Sequence, residues 1–558
     1  MNIFLILLLT FFSFQSHSSV DMKNASFSDY WVDLMVPGNN FFLRISRTYN
    51  SRSLFSGIFG FGWCSNLETQ IEITLEGNLL LSDCGSSPTA YYPATYNTKL
   101  INDSISKIVD LLAQKSPQKG TKYFNHLREQ LRSDHILRTQ LAGEVGYKIP
   151  TAKSTVYLAN GKEIDRITFD GTHYIHAYPD GTLQHFDVGG KLVQLTDKNK
   201  SFIKISYTEN LPRQMLDNVG NKISFQYSPE KKIKKILGAN GLSASYKFSG
   251  ENLVGVTNAW KNNYTYTYDQ SHNLTKITFP DGSFKAIAYN EMKDWVKDFK
   301  DRDGCVETYD FVLSTDNPRD HYASTAEKKC NGKLQFKSRY EFWYQTRSDK
   351  EKYLSRVLSD KNSQILDISY HQDFGKPIAI RNNSDLTTFM YLDNGLIKQK
   401  TLSLFEVADD KEQKHNIQFQ YSSDHYIDET LNEHFTKTGI LSRKRKTTYK
   451  YDSSGRLVTA RTTDGQYVEI RYNSNGLIAG INDHAKKEIL IDYDPKTQRP
   501  VSITRPTVGS IKLSYTPSGT IKKVSNKGGS TVNTQIYAAF NNFIDLLGPV
   551  SSELKLNL

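Results

Sequence analysis

The chain has 558 residues, of which 38% are hydrophobic and 23% charged, and 70 Lys and Arg against 59 Asp and Glu give a formal net charge of +11. The cations are spread along the whole length, and their only dense run is Arg443-Lys444-Arg445-Lys446. Beyond the N-terminus no stretch is long and apolar enough to span a bilayer as a helix, and the four Cys lack the Cys-x-x-Cys or ligand-spaced His of a zinc site.

Residues 1–19 read as a secretory signal. Ile3 to Phe14 is an apolar run of about a dozen residues, followed by the small residues of Ser16-His17-Ser18. The expected chain is therefore secreted or cell-surface, or periplasmic, without a transmembrane anchor. Export suits two disulfides, Cys64 with Cys84 and Cys305 with Cys330, each closing a loop worth roughly 3 kcal/mol in the chain-entropy view; free thiols are the alternative reading. Residues 20–97 read as short strands with Gly-rich turns. Residues 98–146 read as a helical hairpin. Ile101, Ile105, Ile108, Leu111 and Leu112 fall at helix spacing, as do Phe124, Leu127, Leu131, Leu137 and Leu141, with a break at Ser116-Pro-Gln-Lys-Gly120. The hairpin is expected either to cap a sheet end or to be a plain surface insertion. Repeats follow over 147–300, a cysteine-bracketed interruption over 301–345, and further repeats over 346–527 with an insertion near Asp424 to Gly439. The tail, 528–558, opens on the flexible Gly528-Gly529-Ser530. Its Ile536, Phe540, Phe543, Ile544 and Leu547 form one helical face.

The repeats are marked by a pattern of apolar, polar, apolar, polar, Tyr. It closes on Tyr207, Tyr227, Tyr268, Tyr370, Tyr421, Tyr472, Tyr493 and Tyr515, and Tyr451 is in phase with them at a step of about 21. A fixed period of this size means an array of small similar units. In the best-preserved run, Tyr451 to Tyr472, Asp464-Gly465 separates two extended stretches and Ser453-Ser454-Gly455 makes a second turn, so one unit is two strands and two turns. Alternation places Val468, Ile470 and Tyr472 on one face and Glu469 and Arg471 on the other, an antiparallel sheet wet on one side. Successive units would pair edge to edge and set each Tyr beside the next. The fold class is all-β, with a small helical insert.

These residues resemble the YD repeat of the RHS (rearrangement-hotspot) and teneurin-like proteins. Tyr268-Asp269, Tyr451-Asp452 and Tyr493-Asp494 carry the dipeptide, while Gly455-Arg456-Leu457 and Asn273-Leu274 carry the middle. Pro37-Gly38, Phe42-Leu-Arg44, Arg47-Thr-Tyr-Asn-Ser-Arg52 and Gly60-Phe-Gly-Trp63 are similar to the domain that often precedes such repeats in bacterial members. The resemblance implies a spiral β-sheet of antiparallel hairpins, a partial or closed shell. It implies a cell-surface or adhesion protein, or a shell around a toxic cargo. Tyr493-Asp-Pro-Lys-Thr-Gln498-Arg499 looks like the start of the core segment of toxin-bearing members, but Gln498 stands where they have Gly and no second Asp-Pro follows. The stretch reads as one more repeat.

No Gly-x-Ser-x-Gly, His-Glu-x-x-His or phosphate-cradling loop occurs. His173 and His176 would face opposite sides of a strand. A residue recurring in every unit serves the architecture, since Tyr packs with a hydrogen-bonding tip and Asp makes turns. The expectation is a non-enzymatic binding or structural protein with no catalytic, cofactor or metal site. Its expected partners are an anionic glycan or envelope polymer, met by Arg443, Lys444, Arg445 and Lys446, or a protein cargo. Nucleic acid is disfavoured by export. The alternatives are a shell for a separately encoded effector and, less favoured, an envelope-polymer hydrolase.

Overall fold

The computed structural model describes residues 18–553, apart from 37–41, 85–87, 95–97, 160–163, 179, 291–292, 349, 410, 496, 517–520 and 528. The expected secretory segment thus lies outside the described residues except for Ser18 and Ser19, which begin a strand, Ser18–Val20, paired with Phe27–Val36. Pro37-Gly38 also lies outside them. The chain divides into two compact units, residues 66–197 and residues 1–65 with 198–558.

The 66–197 unit is a meander of short antiparallel strands from Gln70–Ile73 to Leu192–Thr196, interrupted after Thr89–Pro93 by helices. The sheet resumes where it stopped, Val156–Ala159 pairing with Thr89–Pro93. Its first strand also meets the approach to its last: Gln70 bridges Lys191, and Ile71 N–H donates to Gly190 O at 2.8 Å. Only Gly fits there, because Gly190 has φ +85° and a Cβ would stand 1.8 Å from Ile71 O. The insert holds three helices rather than the expected hairpin: α1 (Thr98–Lys115), α2 (Thr121–Ser133) and α3 (His135–Val145). The second break is an N-cap, with Asp134 accepting from Leu137 N–H at 2.9 Å. Ile105, Ile108, Val109, Phe124, Leu127, Leu131 and Ala142 form the buried helical core.

In the other unit the all-β expectation holds. From Phe202–Thr208 to Ile521–Lys527 each strand pairs antiparallel with its sequence neighbour. The register puts Val468, Ile470 and Tyr472 on one face, where Val468 and Ile470 are buried. We call this the Tyr face. The cysteine-bracketed stretch does not interrupt the sheet: Val306–Leu313 and His321–Cys330 are paired strands, tied by the Cys305–Cys330 disulfide. Cys64 and Cys84 are disulfide-bonded too. The 30 residues from Tyr421 to Tyr451 form no separate insertion, because the extra residues lengthen strands Ile427–Thr436 and Leu441–Tyr451.

Two elements cover the Tyr face. A four-stranded sheet, Ser18–Val20, Phe27–Val36, Leu43–Asn50 and Trp63–Ser65, carries a buried Arg47–Asp33 ion pair at 2.7 Å, both members of which reach across to it. Arg47 Nη2 donates to Tyr266 Oη at 2.6 Å, Tyr246 Oη donates to Asp33 at 3.0 Å, and the guanidinium lies 4.3 Å from the Trp63 ring centroid. Farther along, helix α4 (Ser530–Leu547) buries Val532, Ile536, Ala539, Phe540, Phe543 and Leu547 against Leu457, Val468, Ile470, Ile481 and Ile491. Ile544, expected on that face, points away and is 44% exposed.

Candidate functional site

The repeated Tyr fastens each unit to the one before it. The register slips by one residue just before the Tyr, as between Gln226 and Tyr227 or Arg471 and Tyr472, a β-bulge that bends the strand. Its hydroxyl then donates to the carbonyl of the residue opposite the preceding repeat aromatic. Tyr472, Tyr493 and Tyr515 reach Leu457 O at 2.7 Å, Ile478 O at 2.8 Å and Pro500 O at 2.7 Å, and those residues pair with Tyr451, Tyr472 and Tyr493. Tyr227 and Tyr268 do the same with Pro212 and Leu253, and Tyr421 and Tyr451 with Ile397 and Ile427. Tyr207 and Tyr370 hold the same bulged position. Sequence reading missed Tyr391, which donates to Pro377 O at 2.6 Å, and Phe248, which takes the bulged position without a hydroxyl. Their step of about 21 from the neighbouring Tyr was the available signal. Burial pushes the Tyr421 and Tyr515 phenols up to about 12, so both stay donors at ordinary pH.

The Asp after the Tyr caps the next turn. Asp452 Oδ1 accepts from Ser454 N–H at 2.9 Å and Arg456 N–H at 3.0 Å, and Gly455 completes the turn at φ +72°.

Between the two covers the Tyr face is open. Paired residues trace it as a row, Phe342, Val357, Ile368, Ile380, Thr387, Leu402, His415, His434 and Arg443. Among the described residues of the strands from Lys352–Lys361 to Ile427–Thr436, only Thr430 is fully buried, and the apolar members of the row on those strands are half-buried.

The row ends in polar chemistry. His415 and His434 stack with ring centroids 4.0 Å apart. His434 Nδ1 lies 2.8 Å from Glu412 Oε2, and Arg443 Nη2 lies 3.0 Å from His434 Nε2. The imidazole therefore donates to Glu412 and accepts from Arg443, which is its neutral form. Burial, then His415 and Arg443, hold its pKa below the ordinary value. The basic run is not one patch. Strand alternation puts Arg443 and Arg445 on the Tyr face, while Lys444 and Lys446 turn to the other side and pair with Glu433 at 3.0 Å and Glu429 at 2.5 Å. His173 and His176 are separated as expected: His173 is exposed beside Asp170, and buried His176 bonds Asp165 at 2.6 Å and Gln184 at 3.1 Å. Among the described residues no three His, Cys, Asp or Glu side chains are grouped to hold a metal, and no helix is long and apolar enough to cross a membrane.

Residues 17–89 match the family described as Domain of unknown function (DUF6531). Curated relatives include the tRNA3(Ser)-specific nuclease WapA of Bacillus spizizenii, 26% identical over 280 residues, and the tRNA nuclease WapA of Bacillus subtilis strain 168, 25% identical. Each match covers 49% of this chain and 11% of the relative. The crystal structure of TcdB2-TccC3-Cdc42 overlaps 90% of this chain and 29% of its own at 10% identity, with a TM-score of 0.34. The family match and the curated relatives fit an RHS-type protein. They also correct the expectation of a non-enzyme, because these relatives are named as nucleases.

Proposed function

We propose that the chain is the repeat scaffold of an RHS-type protein that acts on other cells from the cell surface and works with a nuclease. The observation that carries this is the open stretch of the Tyr face. The same face is covered at one end by the N-terminal sheet and at the other by α4, and the half-buried Val357, Ile368, Ile380 and Leu402 lie between. An apolar face flanked by two docked elements suits a third polypeptide segment, and the relatives' names point to a nuclease. The scaffold holds that segment, and the assembly cleaves tRNA.

The test is to purify the exported protein from its native source with whatever accompanies it. Cleavage of tRNA is assayed, and hydrogen exchange is followed over residues 352–436 before and after mild denaturant releases bound chains. The reading expects tRNA cleavage and exchange that quickens on release. An assembly without cleavage whose exchange is unaltered would sink it.

A further inference from the structure

Apolar or Tyr side chains take most inward positions along the Tyr face, and two adjacent strands carry a run of polar ones instead. Ile427–Thr436 places Thr430, Asn432 and His434 there, and Leu441–Tyr451 places Arg443, Arg445 and Thr447 opposite them. A local rule broken at neighbouring positions marks function or strain. Here it borders a cavity of about 510 Å³, the size of a small-molecule site. The turns around Gln466 and Lys487 roof it, and Asn542, Asp545 and Leu546 at the end of α4 form its far wall.

The hydrogen bonds that hold the two guanidinium groups go to neutral side chains. His434, clamped by Glu412, takes one Nη2 of Arg443, and the nearest carboxylate oxygen, on Glu412, is 4.0 Å away. Arg445 gives one Nη2 to the Gln466 amide oxygen. Its Nε is buried with no hydrogen-bond partner, while the Asp464 carboxylate, which also lines the cavity, attracts it electrostatically. Two residues apart on one strand, their Cα atoms stand roughly 7 Å apart on one face, so the two heads can form a fork for the oxygens of a phosphate. The acidic groups nearby suit hydroxyls. Asp545 and Asn542 offer acceptors on the helix side, while Asp483 is occupied by the backbone N–H groups of Ala485 and Lys487. Leu546 supplies an apolar floor.

We infer that this cavity is a binding site for a small phosphate monoester with a hydroxylated body, a polyol phosphate or a nucleotide, whose phosphate is taken by Arg443 and Arg445. The test is calorimetric titration of the full chain with inorganic phosphate, glycerol 3-phosphate and adenosine 5′-monophosphate at constant ionic strength. Saturable binding of one or both esters is expected, tighter than inorganic phosphate, and the tighter ester identifies the body. R443Q and R445Q should each weaken it about tenfold or more, the loss of a charge-assisted contact. K446Q removes a charge of the same run from the other side of the strand, outside the cavity lining, and should leave affinity within about twofold. Unchanged far-ultraviolet circular dichroism shows that each variant is folded, and the wild-type titration stands without them. Absence of saturable heat from both esters, inorganic phosphate binding as tightly as they do, or equal loss in K446Q overturns the assignment.

Discussion

The Tyr hydroxyl contributes one hydrogen bond per unit, and its removal is informative because Phe248 shows that the bulged position accepts a ring without it. Tyr472→Phe strips Leu457 O of that donor. A loss of about 1 kcal/mol is expected, read as a lower urea midpoint at unchanged slope. A second residue-scale prediction concerns Asp29, buried 3.5 Å from Lys285. Burial outweighs the attraction of Lys285 and raises the Asp29 carboxyl to about 6, and burial likewise lowers the Lys285 pKa. A carboxyl whose folded pKa lies above its unfolded value binds a proton on folding. Its contribution is fully present below the unfolded value, near 4, and is lost as pH rises through about 6. The stability difference between wild type and Asp29→Asn should therefore favour wild type more at pH 5 than at pH 7, measured by urea unfolding at both. Gln498 shows why one departure from the resemblance is tolerated. It adopts φ +55° where the similar proteins have Gly, and its side chain is held by Pro495 O at 2.8 Å and Asn475 Nδ2 at 2.9 Å.

At the scale of elements, α4 is the clearest single contributor to the covered face. Phe543→Ala should cost about 3–5 kcal/mol by leaving a cavity, and hydrogen exchange should quicken in the strands from Leu457 to Tyr515 that it packs on. Unchanged exchange there would mean that the helix is not docked. Much at this scale was legible beforehand. The turns at Asp452 to Gly455 and around Asp464-Gly465, the alternation of Val468, Ile470 and Tyr472, and the pairing of Cys305 with Cys330 follow from local chemistry and spacing. What escaped depends on partners distant in sequence. Ile544 fits the helical stripe as well as Leu546 does, and only the position of the sheet decides which is buried. The long strands around 427–451 looked like an insertion because they keep the pattern but stretch the period. The cavity escaped because the run of four cations reads as one patch until the strand's alternation divides it and α4 is brought alongside.

At the scale of the molecule, cover decides where the sheet is firm. The stretch from Lys352 to Thr436 has paired strands but little burial, so native-state exchange should be fastest there and slowest beneath the N-terminal sheet and α4. Opening the Cys305–Cys330 loop by C305S/C330S should cost roughly 3 kcal/mol in the chain-entropy view, seen as a lower unfolding midpoint. The pairing of each strand with its sequence neighbour also bears on the order of assembly. The long sheet can grow by adding one hairpin at a time as the chain emerges, with little loop to close at any step. The N-terminal sheet cannot finish on that schedule. Arg47 waits for Tyr266, and Tyr49 for Leu274 N–H, more than two hundred residues later. Until then Trp31, Trp63 and the charge of Arg47 lack the surface that covers them. The N-terminal sheet is thus made before the strands that seal it, and a helper that binds exposed aromatic surface would find its target there.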